Sequence, residues 1–174
     1  TRSGQGWRHC LTLPRVLSVR EDGDLVQEPA PELAKLRGEE KRFTLAFGEK
    51  GSAIPLAGIH GSALEISARF DLGNAKGVGL RVRESADRSR AIEIRHDGEY
   101  LEVAGVKAPL SLGPARRLDL RVFLDRSILE VYANGAVCVT RAVYPDGSDD
   151  GLAAFAEGAP EKAEVSVWPM KTAW

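Results

Sequence analysis

The stretch Leu118–Pro145, LDLRVFLDRSILEVYANGAVCVTRAVYP, decides the fold class of this chain. Apolar and polar residues alternate over 118–124, so the apolar side chains share one face of a β-strand. The run 125–127 breaks this alternation with residues that favour turns. Asn134-Gly135 is a strong hairpin signal, because both residues tolerate positive φ. The stretch therefore predicts three consecutive antiparallel strands, over 118–124, 128–133 and 136–143.

Similar patterns recur on both sides of this stretch. Asp97-Gly98 separates the strand-like runs 92–96 and 100–103, which predicts a hairpin with a type I′ turn. In the run 63–70, apolar residues alternate with Glu65 and other polar residues, which predicts a half-buried strand with a solvated back. Further strands are predicted over 43–47, 77–83, 152–156 and 163–168.

Short strands separated by turns along most of the chain are typical of a sandwich or a barrel. We predict an all-β fold, a two-sheet antiparallel β-sandwich of the jelly-roll or concanavalin-like kind with ten to twelve strands. One short helix is predicted over 31–36, because proline and glutamate suit its first turn and Gly38 suits its end.

Composition narrows the function classes. The chain has 174 residues, 24 basic and 25 acidic, and a formal net charge of -1. This length suits one well-buried domain. A near-neutral chain without basic runs predicts no nucleic-acid partner and no attraction to anionic membranes. No apolar stretch approaches the ~20 residues of a membrane-spanning helix, so no membrane partner is expected.

Cysteine and histidine are sparse. Cys10 and Cys138 match no metal spacing and are interpreted as two small buried hydrophobes, although a disulfide stays open if the fold brings them together. The histidines at 9, 60 and 96 are isolated, so we expect neither a metal site nor a cofactor.

Four segments together resemble the C-terminal region of glycoside hydrolase family 32, the family of invertases, levanases and inulinases. They are Gly6-Trp-Arg with Leu11-Thr-Leu-Pro-Arg15, the run 25–37, the run 120–135 that contains Phe-Leu-Asp-Arg-Ser and Asn-Gly, and Val167-Trp-Pro-Met170. Such enzymes combine a five-bladed catalytic propeller with a C-terminal β-sandwich. The resemblance implies that residues 1–15 are the junction from a propeller and that residues 16–174 are the sandwich.

The resemblance also implies which catalytic residues to look for. The family's nucleophile and stabilising aspartates precede proline, and its acid/base glutamate precedes cysteine. This sequence contains no Asp-Pro and no Glu-Cys dipeptide. We therefore expect no catalytic residue in this chain, whereas a parent enzyme would hydrolyse β-fructosides such as sucrose, levan or inulin with retention. The compartment stays open, secreted or cytoplasmic, because a targeting segment would precede Thr1.

The expected role is to stabilise the propeller of the same protein, and a homo-oligomer is a further expectation. Large side chains near both ends of the chain are candidates for the contact between the domains. They are Trp7, Arg15, Trp168 and Trp174.

The alternative function is that of a fructan-binding module, which needs polar groups for vicinal hydroxyls beside an aromatic ring. The candidates that cluster in the sequence are Asp125, Arg126, Glu130 and Asn134, with Tyr100 or Tyr132 as the ring. For Asp125 and Glu130 a structural or interface role is favoured, because Asp125 precedes a turn and Glu130 points away from the face of its strand neighbours. Protein recognition without sugar is a third hypothesis, supported by fold analogy alone.

Overall fold

The computed structural model describes residues 10–21 and 23–172. These residues form fourteen strands and one short 3-10 helix at Pro31–Leu36. The strands are β1 Arg15–Val19, β2 Leu25–Pro29, β3 Lys41–Thr44, β4 Ser52–Pro55, β5 Ala63–Asp71, β6 Gly77–Glu84, β7 Ile92–His96, β8 Tyr100–Val103, β9 Val106–Pro109, β10 Arg117–Asp125, β11 Ile128–Ala133, β12 Val137–Ala142, β13 Gly151–Glu157 and β14 Lys162–Pro169.

Twelve of the strands form two antiparallel sheets of six. Sheet A has the order β12-β11-β10-β5-β14-β3, and sheet B has the order β4-β13-β6-β7-β8-β9. The remaining two strands, β1 and β2, pair only with each other in a hairpin. The predicted two-sheet antiparallel β-sandwich of ten to twelve strands is confirmed, with twelve strands in its sheets, and so is the short helix at residues 31–36.

The core lies between the two sheets and follows the period of two. Leu64, Ile66 and Phe70 of β5 are each at most 1% exposed and meet the inner face of sheet B. Burying a side chain of this size contributes about 1.5–3 kcal/mol. No residue other than glycine fits at Gly79 on β6, because a Cβ there would lie 2.1 Å from the carbonyl oxygen of Ile94.

The three strands predicted from the opening stretch are β10, β11 and β12. Asn134 and Gly135 have φ of 51° and 61°, as a type I′ turn requires. The hairpin of β7 and β8 is also confirmed, but its turn type is a correction. Its two-residue loop is Gly98-Glu99, because Asp97 pairs with Tyr100, and positive φ occurs at Gly98, the first central position of a type II′ turn.

The back of β5 is the main departure from the sequence prediction. Glu65 is 0% exposed, so the back of this strand is not simply solvated. A second, smaller cluster covers part of the outer face of sheet A, with Leu33 of the 3-10 helix packed near Phe123 and Tyr132. The segment that precedes the sandwich therefore adds a third layer over sheet A.

Candidate functional site

The outer face of sheet A carries a row of side chains from neighbouring strands. Strand register aligns Thr140 with Glu130, Glu130 with Phe123, Phe123 with Glu65, and Glu65 with Trp168. We call these five residues the outer row. Two carboxylates thus lie on either side of an aromatic ring, beneath the segment of residues 10–37, which we call the junction segment.

Glu130 is the first of the two buried carboxylates, with the side chain 2% exposed. It accepts hydrogen bonds from the backbone N–H of Leu13 at 2.6 Å, from Arg15 Nη2 at 2.8 Å and from the Tyr132 hydroxyl at 3.1 Å. Arg15 Nη2 also donates to Thr140 Oγ1 at 2.6 Å. Burial, together with the charge of Glu130, raises the pKa of Tyr132 above its ordinary range, so the phenol stays a donor.

Glu65 is the second buried carboxylate. Arg37 reaches it with two hydrogen bonds, Nε to Oε2 at 2.8 Å and Nη2 to Oε1 at 2.6 Å, and Arg121 Nε donates to Oε1 at 2.7 Å. The Arg37 guanidinium lies 4.1 Å from the centre of the Trp168 ring. Burial by itself would raise the pKa of Glu65, but the hydrogen bonds and charges of Arg37 and Arg121 outweigh it and hold that pKa below its ordinary value.

These contacts suit fastening rather than acid–base chemistry. Arg15 and Arg37 belong to the junction segment, whereas Glu130 and Glu65 belong to strands of sheet A. Bidentate pairing of arginine with a carboxylate is strong and directional, and the Leu13 N–H adds a third attachment. Glu65, whose pKa is held below its ordinary value, has no proton to give at neutral pH, and both glutamates are buried beneath their partners with no room for a substrate.

Of the residues predicted from sequence, Glu130, Tyr132 and Arg15 are brought together by the structure. Glu130 points away from the core face of its neighbours, as predicted. Arg15 contacts the sandwich through Glu130, whereas Trp168 is itself part of the outer row and packs against the Arg37 guanidinium. Trp7 and Trp174 lie outside the described residues. Whether any of these residues also contacts another domain stays a prediction.

Glu130 and Tyr132 meet, but the other sugar-binding candidates do not converge on them. Asp125 and Arg126 lie at one end of the β10–β11 hairpin and Asn134 lies at the other, about 20 Å away for a six-residue strand. The Asn134 side chain accepts from Asp119 N at 2.7 Å and donates to the Arg117 carbonyl at 2.9 Å. Its groups thus stabilise the turn.

Tyr100 is also separate from the other candidates, because it lies on β8 of sheet B, where it is 42% exposed. It therefore cannot stack a sugar over Glu130. Tyr132, the other candidate ring, is buried and hydrogen-bonded in the outer row.

Sequence reasoning missed Glu65, Arg37 and Arg121. A glutamate in an alternating strand looks like an ordinary solvated residue. The signal is tertiary, because the neighbours of Glu65 across the sheet are aromatic, Phe123 on one side and Trp168 on the other. A carboxylate between two rings indicates a covered position, but only once the strand order is known.

The junction segment also carries much of the exposed apolar surface. Leu17 and Val19 of β1 are 62% and 68% exposed, and Leu25 of β2 is 51% exposed. Leu11, before the hairpin, is 96% exposed. By comparison, among the described strands of sheets A and B only Tyr100 is an exposed large apolar residue. The segment that the outer row fastens is therefore itself incompletely covered.

The described cysteines and histidines lie in different surroundings. Cys10 is exposed, which corrects the prediction that it is buried, and Cys138 is half-buried; both are free thiols. His96 is buried, its Nε2 is 2.8 Å from the Leu110 carbonyl, and Gly98 N donates to its Nδ1. Within residues 10–21 and 23–172 no group of three potential metal ligands occurs, and no helix there is long and apolar enough to cross a membrane.

Comparison with known proteins places this architecture in a family. The family model "Glycosyl hydrolases family 32 C terminal" matches residues 32–169. A levanase of Bacillus subtilis is 29% identical over 190 residues, covering 97% of this chain and 28% of the levanase. A sucrose-6-phosphate hydrolase of Klebsiella pneumoniae is 34% identical over 130 residues, covering 75% of this chain and 25% of that protein.

Solved structures agree on the fold. An exo-inulinase of Aspergillus awamori superposes with a TM-score of 0.79 at 17% identity, over 99% of this chain and 38% of the inulinase. Fructan 1-exohydrolase IIa of Cichorium intybus superposes with a TM-score of 0.76 at 19% identity, over 93% of this chain and 41% of the exohydrolase. The chain thus spans between a quarter and two fifths of these relatives.

Proposed function

The chain belongs to the C-terminal family of the family 32 glycosyl hydrolases, and we propose that it is the non-catalytic sandwich that stabilises the catalytic propeller of a β-fructosidase. The junction would run from the propeller through residues 1–15, and the sandwich would occupy residues 16–174. The propeller would be part of the same protein, because this chain covers only a fraction of its relatives.

The chemistry of the chain supports a non-catalytic role. Retaining glycoside hydrolysis needs two carboxyl groups that face one scissile bond. The Asp-Pro and Glu-Cys dipeptides that the family resemblance predicts are missing from the sequence. The two most buried glutamates, Glu65 and Glu130, are hydrogen-bonded to arginines that hold the junction segment.

The observation that carries the proposal is the junction segment itself. It is fastened to sheet A by Arg15 and Arg37, yet Leu17, Val19 and Leu25 are more than half exposed on it. Exposed apolar residues that lie close together mark contact surfaces in soluble proteins. An interdomain contact at this hairpin would place the propeller beside the outer face of sheet A.

The contact can be tested with one substitution in the parent protein. Leu17→Asp should lower the melting temperature of the catalytic domain. It should leave the melting temperature of the sandwich unchanged, because Leu17 is exposed when the sandwich is considered without the propeller. Tyr100→Asp is the matched control, since Tyr100 is also exposed but lies on sheet B. Equal effects of the two variants, or a catalytic domain equally stable without residues 16–174, would count against the proposal.

The parent reaction is proposed to be hydrolysis of terminal β-fructofuranosyl linkages in sucrose, levan or inulin. The names of the relatives support it, since they include a levanase and an exo-inulinase. The parent protein should release fructose from these substrates, and the 174-residue chain should release none. The homo-oligomer expected from the sequence would use the free edge strands of the two sheets and stays a prediction.

A further inference from the structure

A cavity of about 410 Å³ opens in the sandwich, and no residue of the outer row lines it. It lies between the end of β6 and the segment that follows β12. Its wall includes Arg83, Arg90, Tyr144, Asp146 and Asp149. None of these residues takes part in fastening the junction segment.

Arg83 enters this cavity wall because of a β-bulge. The register between β13 and β6 pairs Gly151 with Glu84 and Leu152 with Val82, so Arg83 is the extra residue. Its φ is 53°, in the left-handed region that arginine rarely adopts. Bulges of this kind re-aim a side chain, and they occur often beside binding sites.

The charge of Arg83 is buried without a counter-ion. The residue is 7% exposed, and among the described residues no carboxylate lies within ion-pair distance of its guanidinium. Its one hydrogen bond is long, from Nη2 to the Asp146 carbonyl at 3.4 Å, and its buried Nε has no partner. Burying a cation this way is unfavourable unless something else satisfies its donors.

The rest of the cavity wall offers carboxylate acceptors and an aromatic ring. Arg90 Nη2 lies 3.0 Å from a carboxylate oxygen of Asp146 and 3.0 Å from one of Asp149, whose side chain is 5% exposed. Tyr144 is 40% exposed beside Pro145. Asp146 and Asp149 both pair with Arg90 and neither pairs with Arg83, but their formal charges offset those of the two arginines, so the cavity as a whole has no net charge to attract an anion. Donors, acceptors and an exposed ring together suit a neutral ligand with several hydroxyl groups.

We propose that this cavity binds one sugar unit of an oligosaccharide, with the Arg83 guanidinium donating to ring hydroxyls and Tyr144 packing against the ring. Asp149 accepts from hydroxyls on the other side of the unit. The site lies on the sandwich and is separate from the surface proposed to contact a propeller. Its assignment to fructan rests on the proposed function, whereas its assignment to a polyhydroxyl ligand rests on the cavity.

Calorimetric titration of the chain with levan and inulin oligosaccharides tests the proposal. We expect saturable binding to at least one of them, and no displacement by inorganic phosphate. Absence of binding to both sugars, or displacement of the sugar by phosphate, overturns the proposal. Neither result bears on fructose release by the parent protein or on the stability of its catalytic domain, so the two proposals fail independently.

A pair of substitutions then separates a binding role for Arg83 from a structural one. Arg83→Met keeps the apolar stem and removes the unpaired charge, so binding should weaken at least about tenfold while the melting temperature holds or rises. Arg88→Met is the matched control, because Arg88 also has a left-handed φ, of 59°, but is exposed and outside the cavity. Its binding should equal that of the wild type.

Tyr144→Ala tests a second residue of the cavity, whose side chain is 40% exposed, and it should also weaken binding at least several-fold. Unchanged affinity in both Arg83→Met and Tyr144→Ala would overturn the proposal. So would a lower melting temperature of Arg83→Met with unchanged affinity, because that result assigns Arg83 a structural role.

Discussion

The two faces of sheet A are stabilised by different interactions. The inner face is apolar throughout, with Ile66 and Phe70 fully buried against sheet B. The outer face buries Glu65 and Glu130 beneath arginines of the junction segment. Apolar packing is non-directional and builds the domain, whereas paired charges fix one geometry at a small net gain. The inner face therefore makes the fold, and the outer face determines where the preceding segment lies.

The largest effect should come from the inner face. Phe70→Ala removes a ring that is 0% exposed from the centre of the sandwich, and such truncations cost about 3–5 kcal/mol. Denaturant unfolding of the chain should show this loss as a lower midpoint with an unchanged slope. A loss below that of an outer-row substitution would reverse the ranking of the two faces.

A smaller loss is expected at the outer face. Glu65→Gln keeps the shape of the side chain but leaves Arg37 and Arg121 without their counter-ion. Because both arginines are partly exposed, we expect a loss of about 1–3 kcal/mol rather than the full value for a buried pair.

Asp119→Asn is the matched control for this loss. It breaks the exposed ion pair with Arg69, at 2.6 Å, and should cost less than about 1 kcal/mol. Equal losses of unfolding free energy in Glu65→Gln and Asp119→Asn would show that the buried ion pairs of the outer row stabilise the fold no more than an exposed pair does.

The ion pairs of Glu65 with Arg37 and Arg121 predict how the stability of the fold changes with pH. The pKa of Glu65 is lower in the folded chain than its ordinary value, so its contribution is complete above the unfolded pKa of about 4.3. The contribution is lost as pH falls below that value and through the folded pKa. The wild type should therefore lose more stability than Glu65→Gln between pH 6 and pH 3. If the free energies of unfolding of the wild type and Glu65→Gln fell in parallel across that pH range, the prediction would be contradicted.

The inner face is the part of the molecule that the sequence predicts well. Alternation at Leu64, Ile66 and Phe70 requires only a strand and a period of two, and the turn at Asn134-Gly135 requires only local conformational preference. Two six-stranded sheets follow from many such segments. The pairing of β1 with β2 and the short strands β4 and β9 escaped prediction, because each has few residues and little alternation.

The outer face could be predicted only in part. Arg15 and Glu130 were singled out from sequence, but as separate candidates, because nothing local shows that residues 115 apart in the chain meet. Glu65 looked solvated, since its environment comes from Phe123 and Trp168 on other strands. Grouping Asp125 with Asn134 failed for the opposite reason, because a strand separates residues that are close in sequence.

The most direct test of the outer row as a fastening is hydrogen exchange in Glu130→Gln, followed by mass spectrometry of peptides. Glu130 accepts hydrogen bonds from Leu13 N and Arg15. In the variant, the backbone amides of residues 13–29 should therefore exchange at least about tenfold faster, while those of β5 and β10 keep their protection. Unchanged exchange in residues 13–29, or an equal rise in β5 and β10, would contradict the account.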